Sequence, residues 1–139
     1  MLFRSGLLPH HTTWRWAYAC GRAGEQGPVA LNLVQGFNGA VECAAWVRRG
    51  AGWEIVPLEE ARIEYQAVDR PWQVNTPDGA VDLTFTPTGC HREHRDLGLV
   101  RSRFVQAAGH FSGRLTLPGG PAVPFDRVPG VTEDQDLRW

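Results

Sequence analysis

Apolar residues recur at every second position in one short stretch after another, and Gly or Pro closes each stretch. Val81, Leu83 and Phe85 alternate with Asp82, Thr84 and Thr86. In an extended chain successive side chains point to opposite faces, so a period of two places all the apolar members on one side. The run from Thr12 to Ala19 does the same, setting Trp14, Trp16 and Tyr18 on one face and Thr13, Arg15 and Ala17 on the other. Turn chemistry separates the stretches: Gly21 to Pro28, Gly36-Phe37-Asn38-Gly39, Arg49-Gly50-Ala51-Gly52, Pro77-Asp78-Gly79, Ala107-Ala108-Gly109 and Pro118-Gly119-Gly120-Pro121. The strands expected between them include Val29 to Leu33, Val41 to Arg48, Trp53 to Pro57, Leu58 to Ala67, Trp72 to Val74 and Val81 to Thr86. Leu97 to Gln106 and His110 to Leu117 are read as a hairpin pair across Ala107–Gly109. Val123 to Val128 follows, then an acidic tail to Trp139. Roughly eight to ten short strands with a turn every ~8–12 residues indicate an all-β, antiparallel up-and-down meander, closing as a barrel or half of a two-barrel protein. No segment with helical period is long enough to carry a parallel sheet.

A chain of 139 residues suits one domain. A formal net charge of −1 gives no bulk attraction to nucleic acid or anionic lipid, so neither is expected as a partner. No stretch reaches the ~20 apolar residues of a membrane span. Cys20, Cys43 and Cys90 are odd in number and far apart, which suits free buried thiols in a reducing, cytoplasmic setting. At the start, Leu2-Phe3-Arg4-Ser5 matches the translation of a sequencing adapter. Residues 1–5 therefore read as a non-native scar, and 6–139 as the domain, a piece of a longer chain.

Side chains able to carry a function are sparse. Trp14, Trp16 and Tyr18 share a strand face, and Trp46, Trp72 and Trp139 lie on or beside other strands. Such aromatics line an apolar cavity or fill a core, and the residues leave both open. Glu42 interrupts the apolar run Val41-Glu42-Cys43-Ala44-Ala45-Trp46. Facing a cavity it would donate a proton; facing outward it would pair with Arg48 or Arg49. Arg101 and Arg103 share one strand face and suit the acidic groups Glu133, Asp134 and Asp136. His10, His11, and Cys90-His91-Arg92-Glu93-His94, read as a polar loop, match no metal signature, and no metal is expected. There is no phosphate-binding loop and no nucleophile elbow, so no cofactor is expected.

The segments His11-Thr12-Thr13-Trp14-Arg15-Trp16-Ala17, Leu31-Asn32-Leu33, Gly36-Phe37-Asn38, Asp82-Leu83-Thr84-Phe85-Thr86-Pro87, Ser102-Arg103-Phe104 and Pro129-Gly130-Val131-Thr132-Glu133-Asp134 resemble those of a family catalogued as a domain of unknown function, DUF2804. The resemblance spans nearly everything after residue 8. It implies that the chain corresponds to the C-terminal half of longer members. A remoter likeness, at the level of fold, is to lipocalin-like two-barrel proteins such as carotenoid hydratases and tocopherol cyclases.

Three functions compete on this reading. The first is binding of a small apolar or amphipathic molecule in a cavity lined by Trp14, Trp16, Tyr18 and Trp46, with Arg101 and Arg103 contributing. The second is acid-initiated hydration, cyclisation or isomerisation of an isoprenoid-like double bond by Glu42. The third is structural: a half-barrel that completes a site with an N-terminal domain or self-associates. Whether Trp14, Trp16 and Glu42 meet in one pocket separates them.

Overall fold

The computed structural model describes residues 10–139; the segment read as a scar lies outside the described residues. Among these residues the strands are β1 (His11–Arg22), β2 (Pro28–Gly36), β3 (Ala44–Arg49), β4 (Gly52–Pro57), β5 (Arg62–Glu64), β6 (Trp72–Asn75), β7 (Val81–Asp96), β8 (Arg101–Thr116) and β9 (Ala122–Arg138). One helical turn, α1 (Gly39–Glu42), stands between β2 and β3. All strands pair antiparallel in a single sheet of order β4-β3-β2-β1-β9-β8-β7-β6-β5. Strands β1 to β4 form one meander and β5 to β9 another, and the β1–β9 ladder joins them. The all-β, antiparallel expectation holds. Among the described residues no helix is long and apolar enough to cross a membrane.

The sheet curls around one of its faces. That face carries Ala17 and Ala19 from β1, Leu31 and Leu33 from β2, Val74 from β6, Val81, Leu83 and Phe85 from β7, and Leu115 from β8, all buried. Trp72 meets Phe85 edge-on at 6.2 Å, and Phe85 lies 4.8 Å from Phe111, so three aromatic rings fill the centre. Burying side chains of this kind contributes about 1.5–3 kcal/mol each. The core is packed rather than hollow.

The curl brings β5 back to β1 and β2, far from it in the ladder. Arg15 Nη1 donates to the Ile63 carbonyl at 2.6 Å, and the Ile63 N–H donates to Gln35 Oε1 at 2.7 Å. Arg15 and Gln35 are cross-strand partners, so a side-chain pair on one ladder satisfies the free edge of another. Ile63 is fully buried, and leaving its backbone unpaired would cost about 1–3 kcal/mol per group.

Several sequence expectations are corrected. Leu58 to Ala67 is not one strand; only Arg62–Glu64 is. The Leu58 N–H goes instead to the Cys43 carbonyl at 2.9 Å and the Ala61 N–H to Val34 at 3.2 Å, which holds the segment across β3 and β2. Val41 to Arg48 divides into α1 and β3 because Asn38 turns the chain with φ of 58°. Ala107-Ala108-Gly109 is no hairpin but the middle of β8, which begins at Arg101; the turn precedes it, with the Leu97 N–H bonded to the Val100 carbonyl at 2.8 Å. Cys90–His94 lies within β7, and the acidic run lies within β9. These polar stretches stay extended because long β7, β8 and β9 pair with one another along their length. Cys43 is buried, but Cys20 and Cys90 are exposed.

Candidate functional site

Ala17 and Ala19 of β1 enter the core, and the alternation therefore turns Trp14, Trp16 and Tyr18 onto the opposite face. The two indoles do not wall an internal cavity. They form, half-buried, the floor of an open groove of about 560 Å³ on the outward side of the sheet. Val34, Phe37, Leu137 and Trp139 complete its apolar walls, and Thr12, Glu42 and Glu133 supply its polar atoms. Register explains the convergence. Trp16 lies between Val34 of β2 and Glu133 of β9, and Thr12 lies beside Leu137. Neighbouring strands are ~4.8 Å apart, so these side chains form rows across three strands.

The far wall is the turn between β2 and β3. Gly36 starts it with φ of 94°, where a Cβ would lie 2.8 Å from the Thr13 carbonyl oxygen. The Gly36 N–H donates to Glu60 Oε1 at 2.8 Å, so the β4–β5 connection braces the turn from below. Asn32 ties the turn to the floor. Its Oδ1 accepts the Trp16 indole N–H at 2.7 Å, and its Nδ2 donates to the Glu42 carbonyl at 2.8 Å. One side chain thereby links the Trp16 indole to the Glu42 backbone.

Trp14, Trp16 and Glu42 thus meet in one place, but Glu42 is exposed at the end of α1. It lines the groove without an arginine partner among the described residues. Arg49 pairs with Glu54 at 2.8 Å, and Arg48 stands over the Trp53 ring at 5.7 Å, so neither reaches Glu42. Nor is the carboxyl enclosed by apolar walls as proton donation in a cavity requires. Tyr18 stacks on Trp16 at 5.9 Å without lining the groove. Trp46 shares the outward face through the Cys20–Ala30–Trp46 row, two strands away, and is likewise outside the groove.

Arg101 and Arg103 lie on the core-facing side and belong to another constellation. Arg101 pairs with Asp96 at 3.1 Å. Arg103 reaches Asp134 at 3.4 Å, and Arg15 reaches the same carboxylate at 3.3 Å. Tyr65 donates its hydroxyl to Asp134 at 2.5 Å and stacks on Trp72 at 3.9 Å. Burial, then the hydrogen bond to Asp134, pushes the Tyr65 phenol above its ordinary value. Asp134 is buried with three donors around it, which is how a protein keeps a carboxylate out of water. This cluster borders a smaller cavity of about 350 Å³ that Arg15, Gln35, Arg103 and Asp134 help to line.

The histidines disperse. His11 pairs with Asp136 at 2.9 Å, and His10 Nδ1 is 3.0 Å from the Trp139 carbonyl oxygen. His91 and His94 sit three apart in β7, on opposite faces. Among the described residues no group of three metal-ligating side chains converges.

Val34, Phe37, Glu133 and Leu137, which line the groove, and Asn32, which braces it, are residues that alternation did not single out. Asn32, Phe37 and Glu133 nonetheless stand in the Leu31–Leu33, Gly36–Asn38 and Pro129–Asp134 segments on which the family resemblance rests. Their role is visible only once β2 and β9 are known to flank β1.

Comparison with known proteins returned no match among curated proteins and none among solved structures. One family model matches residues 3–139, nearly the whole chain. On that match the chain belongs to the family described as Domain of unknown function (DUF2804).

Proposed function

We propose that this chain binds a small apolar or amphipathic molecule in the outward groove floored by Trp14 and Trp16. The observation that carries the reading is the contrast between the two sides of the sheet. The core side is filled by Trp72, Phe85 and Phe111. The outward side presents a cavity of about 560 Å³ with mainly apolar walls, within the range of small-molecule sites. The Asn32 bridge supports it further, because a site needs its walls held in place before the ligand arrives. No proton transfer is included, since Glu42 is exposed.

Titration with a retinoid, a fatty acid and an isoprenoid alcohol tests it, with tryptophan fluorescence as readout. Saturable quenching that is lost in Trp16→Ala is the expected result. Quenching that persists in that variant, or none with any probe, would refute the reading.

A second reading is favoured by a separate observation. Trp53 and Ile55 of the edge strand β4 are 56% and 62% exposed, and Ile55 lies opposite Trp46 in the ladder. Large exposed apolar surface on a sheet edge suits another polypeptide, so the outward face would then pack against a further domain or a second copy.

A further inference from the structure

We infer that the groove selects amphiphiles with a cationic head, an amine or quaternary ammonium, over anionic ones. This rests on the groove being a ligand site and names the chemistry it accepts. The charged side chains lining the groove are Glu42 and Glu133, and among the described residues no arginine or histidine lines it. The basic side chains near that end of the sheet pair elsewhere: Arg15 and Arg103 with Asp134, Arg101 with Asp96, and His11 and Arg138 with Asp136.

Both glutamates line the same groove as the Trp16 indole. Glu133 stands beside Trp16 on β9 by register, and the backbone of Glu42 is tied to Trp16 through Asn32 on the β2 side. Glu133 receives only a long contact from Gln106 Nε2, at 3.5 Å, and the Glu42 carboxylate makes no ion pair among the described residues. Aromatic rings beside carboxylates that form no ion pair among the described residues are the arrangement that holds alkylammonium groups, by ring quadrupole and by Coulomb attraction together. A fatty-acid carboxylate in the same position would meet two like charges and, among the described residues, no cation lining the groove. Val34, Phe37 and Leu137 are left for the hydrocarbon chain.

Calorimetric titration of four probes of equal chain length, below their micelle-forming concentrations, separates the possibilities: dodecyltrimethylammonium, dodecylamine, dodecanol and dodecanoate. The wild type should bind the two cations about ten-fold or more tighter than dodecanoate, a preference that shrinks at high salt. In the Glu42→Gln/Glu133→Gln variant the preference should fall to within about two-fold while dodecanol binding is kept. Equal affinity of all four probes for the wild type, or a cation preference unchanged in the double variant, overturns the inference and leaves the groove as a site. Loss of Trp16-dependent binding of every probe removes the groove reading, and this inference with it.

Discussion

At the scale of the residue, two side chains do most to organise the molecule's polar chemistry. Asn32 uses both ends of its amide, accepting from Trp16 and donating to Glu42, and so fixes the floor and rim of the groove together. Asp134 does the equivalent on the other face, where Tyr65, Arg15 and Arg103 converge on one buried carboxylate. Tyr65 makes that cluster sensitive to alkali. Its phenol is raised by burial and by the bond to Asp134, so the native state favours the protonated form. The stability this contributes is complete below the unfolded value of about 10 and is lost as pH rises through the higher folded value. Urea midpoints measured from about pH 9 to 11.5 should therefore fall more steeply for the wild type than for Tyr65→Phe. Parallel curves would show that the phenol's proton plays no part.

Elements differ in how much of them the residues reveal. Strand β7 is legible because its first half alternates strictly and one face is wholly apolar: Val81, Leu83 and Phe85 are buried while Asp82 and Thr86 are exposed. Phe85→Ala should cost about 3–5 kcal/mol and Thr84→Ala well under 1 in chemical denaturation. Equal costs would contradict the register. In β1 the alternation groups Trp14, Trp16 and Tyr18 correctly but does not say which group faces in. Size misleads there, because the alanines enter a core already filled by rings from β6, β7 and β8. The end of β9 is illegible for a different reason. Glu133, Asp134 and Asp136 read as a solvated tail, and the arginines and tyrosine that make a strand of them arrive from elsewhere in the sequence. Likewise Glu42 sits in α1 because of the Asn38 and Gly36 backbone, which composition marks only as a turn. What local pattern can show, it shows; what depends on the β1–β9 pairing stays hidden.

For the whole molecule, the notable property is that a sheet with a closed core keeps apolar surface on its other side. Val41 at 83% and Trp53 at 56% exposed extend that surface beyond the groove. At rising concentration light scattering should show self-association that Trp53→Glu reduces, and a monodisperse monomer throughout would argue against a protein-covered face. The central claim remains that a ligand occupies the outward groove and not the core. Nitrogen-15 NMR of the six indole N–H groups reads this directly, because the tryptophans divide by position. Trp14, Trp16 and Trp139 line the groove, whereas Trp46 and Trp53 lie beyond it and Trp72 is enclosed in the core. On titration with an amphiphile that binds, Trp14, Trp16 and Trp139 should shift saturably with Trp72 unmoved. A shift confined to Trp72, or to Trp46 and Trp53, would contradict it.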